Sequence, residues 1–200
     1  MRVVVAAALA MATVLLAGCN QAAKPANEPS QSPAAPVVAP VAISAPSAVV
    51  TSAVTVPRGK FDAISNTAMG VTGDLSAADG GFAFSQGQTY SLEGVGEAKG
   101  ADPYASTKAS LASLINIADT AALKVFRVTS EDRARARNGG FCGAEPTTFI
   151  VTHEGVDGGG SPALFLIAFQ GLKPPSATSP EADLCGTFMY APSAGPPATK

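Results

Sequence analysis

The sequence predicts an α+β domain that is mainly β, an antiparallel sheet that is curled or forms a small sandwich, with one packed helix and one disulfide. Two observations predict this fold class. Between residues 58 and 190, short apolar runs alternate with turn-forming residues at the spacing of antiparallel strands. Eighteen of the 20 glycines also lie in this stretch, which favours turns and bulges over long helices.

We expect the chain to divide into an N-terminal apolar segment over residues 1–18, a linker over 19–57, one globular domain over 58–190 and a tail over 191–200. The linker carries seven prolines and only two charged residues between Asn20 and Pro57. It has too little apolar surface to offset its chain entropy, so we expect it to be disordered. A domain of this size buries roughly two-thirds of its unfolded surface, which allows one hydrophobic core.

The first third of the domain predicts three strands. Short runs of apolar, Thr and Tyr residues are separated by turn-forming residues, a pattern typical of antiparallel strands joined by tight turns. The turns are Gly73-Asp74, Asp79-Gly80-Gly81 and Gln86-Gly87-Gln88. The predicted strands are 68–72, 82–85 and 89–95.

One helix is predicted from Asp102, which suits the N-cap, followed by Pro103 at the first helical position. It should end between Asn116 and Asp119. Its shared face is formed by Tyr104, Lys108, Leu111, Leu114 and Ile115. A shorter helical turn is predicted over 130–137, because acidic residues open it, arginines close it and Asn138-Gly139 follows as a stop signal.

The final third gives the strongest strand pattern. The predicted strands are 122–128, 147–152, 163–169 and 184–190. Residues 164–169 are apolar on both alternating faces, which predicts a central strand covered on both sides. Residues 154–162 should close a hairpin with the strand before it.

The N-terminus has the pattern of a signal peptide. Arg2 supplies one positive charge, and the run from Val3 to Ala17 is apolar apart from Thr13. As a helix, these 15 residues would span roughly 22 Å, less than the ~30 Å of a bilayer core. A charged start, a short apolar run and small residues before the break favour a secretory signal over a permanent span.

The motif Leu16-Ala17-Gly18-Cys19 resembles the lipobox of bacterial lipoproteins. The resemblance implies cleavage after Gly18 and a diacylglycerol thioether on Cys19, with further acylation of the new amine. Two or three acyl chains anchor a protein stably, whereas one binds reversibly. Asn20 in place of Asp implies the periplasmic side of the outer membrane in a Gram-negative host. The alternative is an ordinary signal peptide with an incidental cysteine.

With Cys19 lipidated, two cysteines remain in an exported chain. An even number of cysteines in an oxidising compartment predicts a disulfide between Cys142 and Cys185. A redox site is disfavoured because no C-x-x-C motif is present, and metal ligation needs more ligands than the chain offers.

The composition favours a non-enzymatic function. Thirteen basic and 15 acidic residues leave no excess of positive charge to bind nucleic acid. No cofactor is expected, and no G-x-S-x-G motif is present. We therefore expect a lipid-anchored envelope protein whose partners are membrane lipid, through Cys19, and an envelope protein or cell-wall component.

Two other candidate sites remain. The alternative function is an envelope hydrolase or metal-dependent enzyme using His153, the only histidine, with Glu154 and Asp157. The same residues also suit a flexible hairpin turn. The basic concentration near Arg127 gives a candidate site for an anion or an acidic partner, or else a solvated surface turn. Its other members are Arg133, Arg135 and Arg137.

Overall fold

A computed structural model of the protein describes residues 54–194. The predicted signal peptide, the lipid site at Cys19, the linker up to residue 53 and the tail from residue 195 lie outside this part. The strands are β1 (Gly59–Ala63), β2 (Leu75–Ala78), β3 (Gly81–Phe84), β4 (Thr89–Lys99), β5 (Ala122–Asp132), β6 (Phe149–Val156), β7 (Pro162–Phe169) and β8 (Leu184–Pro192). The α-helices are α1 (Asn66–Val71) and α2 (Leu111–Ile115), and a 3₁₀ turn covers Glu181–Asp183.

The eight strands form a closed antiparallel barrel in which each strand pairs with the next along the chain. Strand β8 closes the barrel on β1 through the pairs Phe61–Pro192, Asp62–Ala191 and Ala63–Tyr190. The predicted curled sheet or sandwich with one packed helix is therefore wrong. Closure depends on β1, which pairs with both β2 and β8, and the sequence pattern did not reveal this strand.

In the first third, one further prediction is wrong and one strand was not predicted, both for local reasons. Residues 68–72, predicted as a strand, lie largely in helix α1, where the Ser65 side chain accepts a hydrogen bond from the Ala68 amide and caps the first turn. Strand β2 was missed because L-S-A-A is short and rich in alanine, which is a weak strand signal.

The helix predicted from Asp102 is reduced to the five residues of α2. Ser110 caps it, and Asn116 ends it in the left-handed conformation. Asp102 instead accepts a hydrogen bond from the Lys99 amide, and Pro103 forms an isolated bridge with Ser110. The predicted helical turn at 130–137 is also wrong, because its acidic start lies in β5. None of the helices within residues 54–194 combines the length and apolar character needed to cross a membrane.

The other predicted strands are confirmed as β3 to β8, but β4, β5 and β6 each end four residues later than predicted. Strand β7 is buried at seven of its eight positions, so its predicted coverage on both faces is confirmed. One face contributes Leu164, Leu166 and Ala168 to the barrel interior. The other contributes Phe165 and Ile167 to an outer layer.

Aromatic side chains fill the barrel interior. Phe84 is their hub, because its ring stands edge-on to Phe82, Tyr90 and Phe141 at centroid distances of 6.2, 5.8 and 5.1 Å. Such edge-to-face contacts add to the apolar area that burial removes from water. The outer layer is separate: α2 and Tyr104 pack against the outward residues of β5, β6 and β7.

The barrel has two different ends. At the end we call the turn end, the β2–β3 and β6–β7 turns meet the incoming chain, where Arg58 pairs with Asp79 at 2.8 Å. Val54 and Val56 pack against the interior cluster there, so ordered contacts begin before residue 58. At the opposite end, the loop end, lie α1, the β3–β4 turn and the β5–β6 and β7–β8 loops.

The disulfide between Cys142 and Cys185 is confirmed, with their Cα atoms 4.8 Å apart. It joins the β5–β6 loop to the start of β8 at the loop end. Beside it, Arg133 donates through Nη1 to the carbonyl oxygens of Gly143 and Ala144 at 2.7 and 2.9 Å. The loop is therefore fixed by both a covalent bond and charge-assisted hydrogen bonds.

Two interior tyrosines carry hydroxyls that burial keeps neutral. The Tyr190 hydroxyl lies 2.7 Å from the Thr72 hydroxyl, and the Tyr90 hydroxyl accepts from the Phe141 amide at 3.0 Å. Desolvation raises the pKa of both phenols far above the usual value of about 10, more than these hydrogen bonds lower it.

We expect the free energy of unfolding to fall steeply above pH 10. Above this pH, both phenols are ionised in the unfolded chain and neutral in the folded chain. The unfolded state therefore binds fewer protons, and its free energy falls relative to that of the folded state as pH rises. Each tyrosine contributes a slope of about 1.4 kcal/mol per pH unit. Urea unfolding of wild type and Tyr190→Phe at pH 9, 10 and 11 measures the difference, and equal slopes for the two chains would contradict it.

Candidate functional site

The three residues of the enzyme alternative meet at the turn end but do not converge on a common point. His153 and Glu154 are consecutive in β6, so their side chains leave opposite faces of the strand. Nδ1 of His153 lies 2.9 Å from the Ala122 carbonyl oxygen, and Glu154 pairs with Lys124 at 3.7 Å. Oδ1 of Asp157 accepts from the amides of Gly159 and Ser161, both at 2.9 Å, and so shapes the β6–β7 turn.

Each of these side chains is therefore bonded to its own part of the fold. The imidazole is fixed by the Ala122 carbonyl, by the ring of Phe165 at 6.1 Å and by Gly155, where an added Cβ would collide with it. Residues 54–194 contain no cluster of three or more His, Cys, Asp or Glu side chains placed to hold a metal ion. The contacts of these three side chains are to other groups and not to one another, so they do not form a paired nucleophile and base.

The arginines are not gathered into one site. Besides its carbonyl contacts, Arg133 forms an ion pair with the buried carboxylate of Glu131 at 3.8 Å. Its guanidinium is therefore already paired within the fold. Arg127 lies over the ring of Phe149 at 5.9 Å. Arg135 and Arg137 are exposed beside the β3–β4 turn, and the Arg137 amide donates to the Gln86 carbonyl at 3.2 Å.

A cleft of about 690 Å³ lies at the turn end, between the chain after α2 and the ends of β6 and β7. Its walls are mostly apolar, its only charged residues are the acidic Glu154 and Asp157, and Asn116 and His153 also line it. The apolar lining residues are Ile115, Ile117, Ala118, Ala121, Val156, Phe165 and Met189. A cleft of this size and character is typical of ligand and peptide sites.

The most exposed large apolar side chain in residues 54–194 lies at the other end of β7. Leu172, 97% exposed, follows β7 in the loop formed by residues 170–183, which we call the 170–183 loop. Its neighbours are Gly171 and Lys173. A leucine presented this fully to water is not part of any core.

The 170–183 loop is held firmly at its base. The Gln170 amide donates to the Asp183 carbonyl and its side chain to the Ala182 carbonyl, both at 2.9 Å. Thr148 donates its hydroxyl to the Gly171 carbonyl, and the Ser106 amide donates to the Ser179 carbonyl. Two residues after Asp183, the disulfide begins at Cys185.

Sequence reasoning did not find the cleft or the exposed leucine. The cleft is formed by four separate stretches of chain, so no local sequence pattern predicts it. Gly171-Leu172-Lys173-Pro174-Pro175 does carry a signal, because an isolated leucine between a glycine and a proline pair belongs to no strand or helix pattern. Comparison of the chain with protein-family models, with curated proteins and with solved structures finds no match.

Proposed function

We propose that this chain is a non-enzymatic binding module of the cell envelope that docks a partner protein through the 170–183 loop. In the same proposal, the chain is cleaved after Gly18 and lipid on Cys19 holds it to the membrane, on the periplasmic side of the outer membrane in a Gram-negative host. The docking proposal rests on the exposure of Leu172, which lies in a loop whose base is held by hydrogen bonds.

The physical argument for docking is the balance between burial and ordering. Transfer of a fully exposed leucine side chain into an apolar pocket is worth about 1.5–3 kcal/mol. A loose loop would lose much of this gain when it became ordered on binding. The base of the 170–183 loop is already fixed by its hydrogen bonds to Asp183, Ala182 and Thr148.

The position of the loop also supports docking. The described chain starts at the turn end, where Val54 packs close to Gly94. The eight residues of β7 rise about 26 Å at 3.3 Å per residue before the 170–183 loop begins. The 170–183 loop therefore begins at the opposite end of the barrel from the point where the described chain starts, and the incoming segment does not cover Leu172.

The enzyme alternative has less support. His153, Glu154 and Asp157 are each bonded to their own strand, neighbour or turn, and a general base needs a reacting group within hydrogen-bond reach.

We expect Leu172→Ser to lower the yield of cross-linked partner complex at least tenfold in intact cells. Truncation of a residue that anchors an interface costs 2 kcal/mol or more, and 1.4 kcal/mol is a factor of ten. The measurement is chemical cross-linking of the full chain in its native membranes, with quantification of the complex.

The matched control is Met69→Ser, because Met69 is another exposed apolar residue, 50% exposed on α1 at the loop end. Its complex should form at the wild-type level. A Leu172→Ser chain that cross-links like wild type, while remaining folded by circular dichroism, would remove the basis of the proposal.

A further inference from the structure

We infer that the cleft at the turn end binds the 170–183 loop of a second copy of this chain, with Leu172 on its apolar walls and Lys173 against its Asp157 carboxylate. The inference rests on the proposed function, because the same loop is the docking element. It adds the identity of the partner and the site that receives the loop.

The cleft is large enough for a leucine with its flanking backbone, and its lining is mostly apolar. Its 690 Å³ and its lining of Ile115, Ile117, Val156, Phe165 and Met189 provide an apolar floor for one branched side chain and its flanking backbone. The exposed edge of Val156, 59% accessible, lies at the rim. Docking of Leu172 would remove both side chains from water.

The charges of the two surfaces are complementary. Asp157 uses Oδ1 for the β6–β7 turn, which leaves Oδ2 to face a ligand. Nδ1 of His153 contacts the Ala122 carbonyl oxygen, so Nε2 is the ring nitrogen that remains for a ligand. No Lys or Arg lines the cleft itself, and Glu154 is already paired with Lys124 at 3.7 Å, so Asp157 is the carboxylate of the cleft that faces the Lys173 ammonium.

The loop of the same molecule does not fill the cleft. Leu172 is almost fully exposed in the single chain, and the cleft and the base of the loop lie at opposite ends of β7. The contact therefore joins unlike surfaces of two molecules. Such head-to-tail contacts produce a closed ring or an open chain of molecules rather than a two-fold dimer.

Site-specific photocross-linking between two differently tagged full-length copies in the same cells tests the inference. One copy carries a photoreactive phenylalanine at position 156, at the rim of the cleft, and the other copy is otherwise wild type. We expect a cross-link from position 156 to the peptide that contains Leu172 and Lys173 of the other copy. The same probe at Met69 should give no such product.

Exchange of the two charges between the copies tests the ionic contact between Lys173 and the cleft. Lys173→Glu in the second copy should lower the cross-link yield about threefold, as expected for one exposed ion pair. Glu154→Lys in the probe copy, which reverses a charge of the cleft and leaves the turn bonds of Asp157 intact, should restore it toward the wild-type yield. Loss of yield without this rescue would overturn the assignment of Lys173 to the cleft.

The failures of the two proposals are distinguishable. A cross-link from position 156 that reaches only the same copy, or only another protein, overturns self-docking. The proposed function would still stand if Leu172→Ser abolished a complex with that other protein. An absence of cross-links, together with wild-type complex formation by Leu172→Ser, overturns both.

Discussion

Replacement of both Cys142 and Cys185 by serine should lower the free energy of unfolding by about 4 kcal/mol. The two cysteines are 43 positions apart, and in the chain-entropy model the bond removes the freedom of a loop of that length from the unfolded chain. A loss of this size corresponds to a fall in Tm of roughly 14 °C for a domain of about 140 residues.

The position of the bond explains why the loss should be global. Phe141, next to Cys142, packs against Phe188 of β8 with ring centroids 4.6 Å apart, so the disulfide lies beside the aromatic interior. Without the bond, the β5–β6 loop is held by Arg133 and by the hydrogen bond from the Phe141 amide to Tyr90. Opening of this loop would expose the interior at the loop end.

Thermal unfolding monitored by circular dichroism checks this prediction, with intact mass before and after reduction as the assay for the bond. Wild type reduced before heating is the matched control, because it loses the same bond without a substitution and should unfold like the double variant. A double variant that unfolds within 3 °C of wild type would contradict the expected loss.

Phe84→Ala should have an effect of similar size, about 4 kcal/mol. Truncation of a buried phenylalanine costs 3–5 kcal/mol through lost transfer energy and the cavity that remains. Phe84 contacts the rings of Phe82, Tyr90, Phe141 and Tyr190, so one substitution removes four aromatic contacts. We expect the middle of the barrel to lose its packing as a unit.

Phe84→Leu separates volume from aromatic geometry. It keeps most of the apolar volume and should cost about 1.5 kcal/mol or less. Urea unfolding of the three chains measures both differences. Equal losses for the alanine and leucine variants would show that the cavity is not the main cause.

The sequence was informative where a strand carries its own signal. Strands β5, β6, β7 and β8 are long and apolar on at least one face. The apolar run over residues 164–169 also predicted that β7 is buried on both faces. The disulfide was predicted by counting cysteines. In contrast, the alternating charged and apolar residues of G-K-F-D-A in β1 make a weak strand pattern. Without β1, neither β2 nor β8 has the neighbour that closes the barrel.

Local signals also competed with tertiary contacts. Asp102 and Pro103 form a good helix start, but the chain from Asp102 to Ser110 instead packs its Tyr104 and Ala105 on the outer layer. The three residues of the enzyme alternative are adjacent in sequence, and alternation along β6 separates two of them. The cleft depends on stretches that meet only after folding, so periodicity alone does not reveal it.

The pairing of β1 with β8 has a consequence for how the protein folds. Ser193 and Asp62, which are hydrogen-bonded across this seam, are 131 positions apart in the chain. Contacts between such distant residues form slowly, because closure of the long intervening loop costs entropy before the contacts can stabilise the fold. The barrel therefore cannot close until nearly the whole domain is available to fold, and until then the unpaired edge of β1 is open to pairing with other chains.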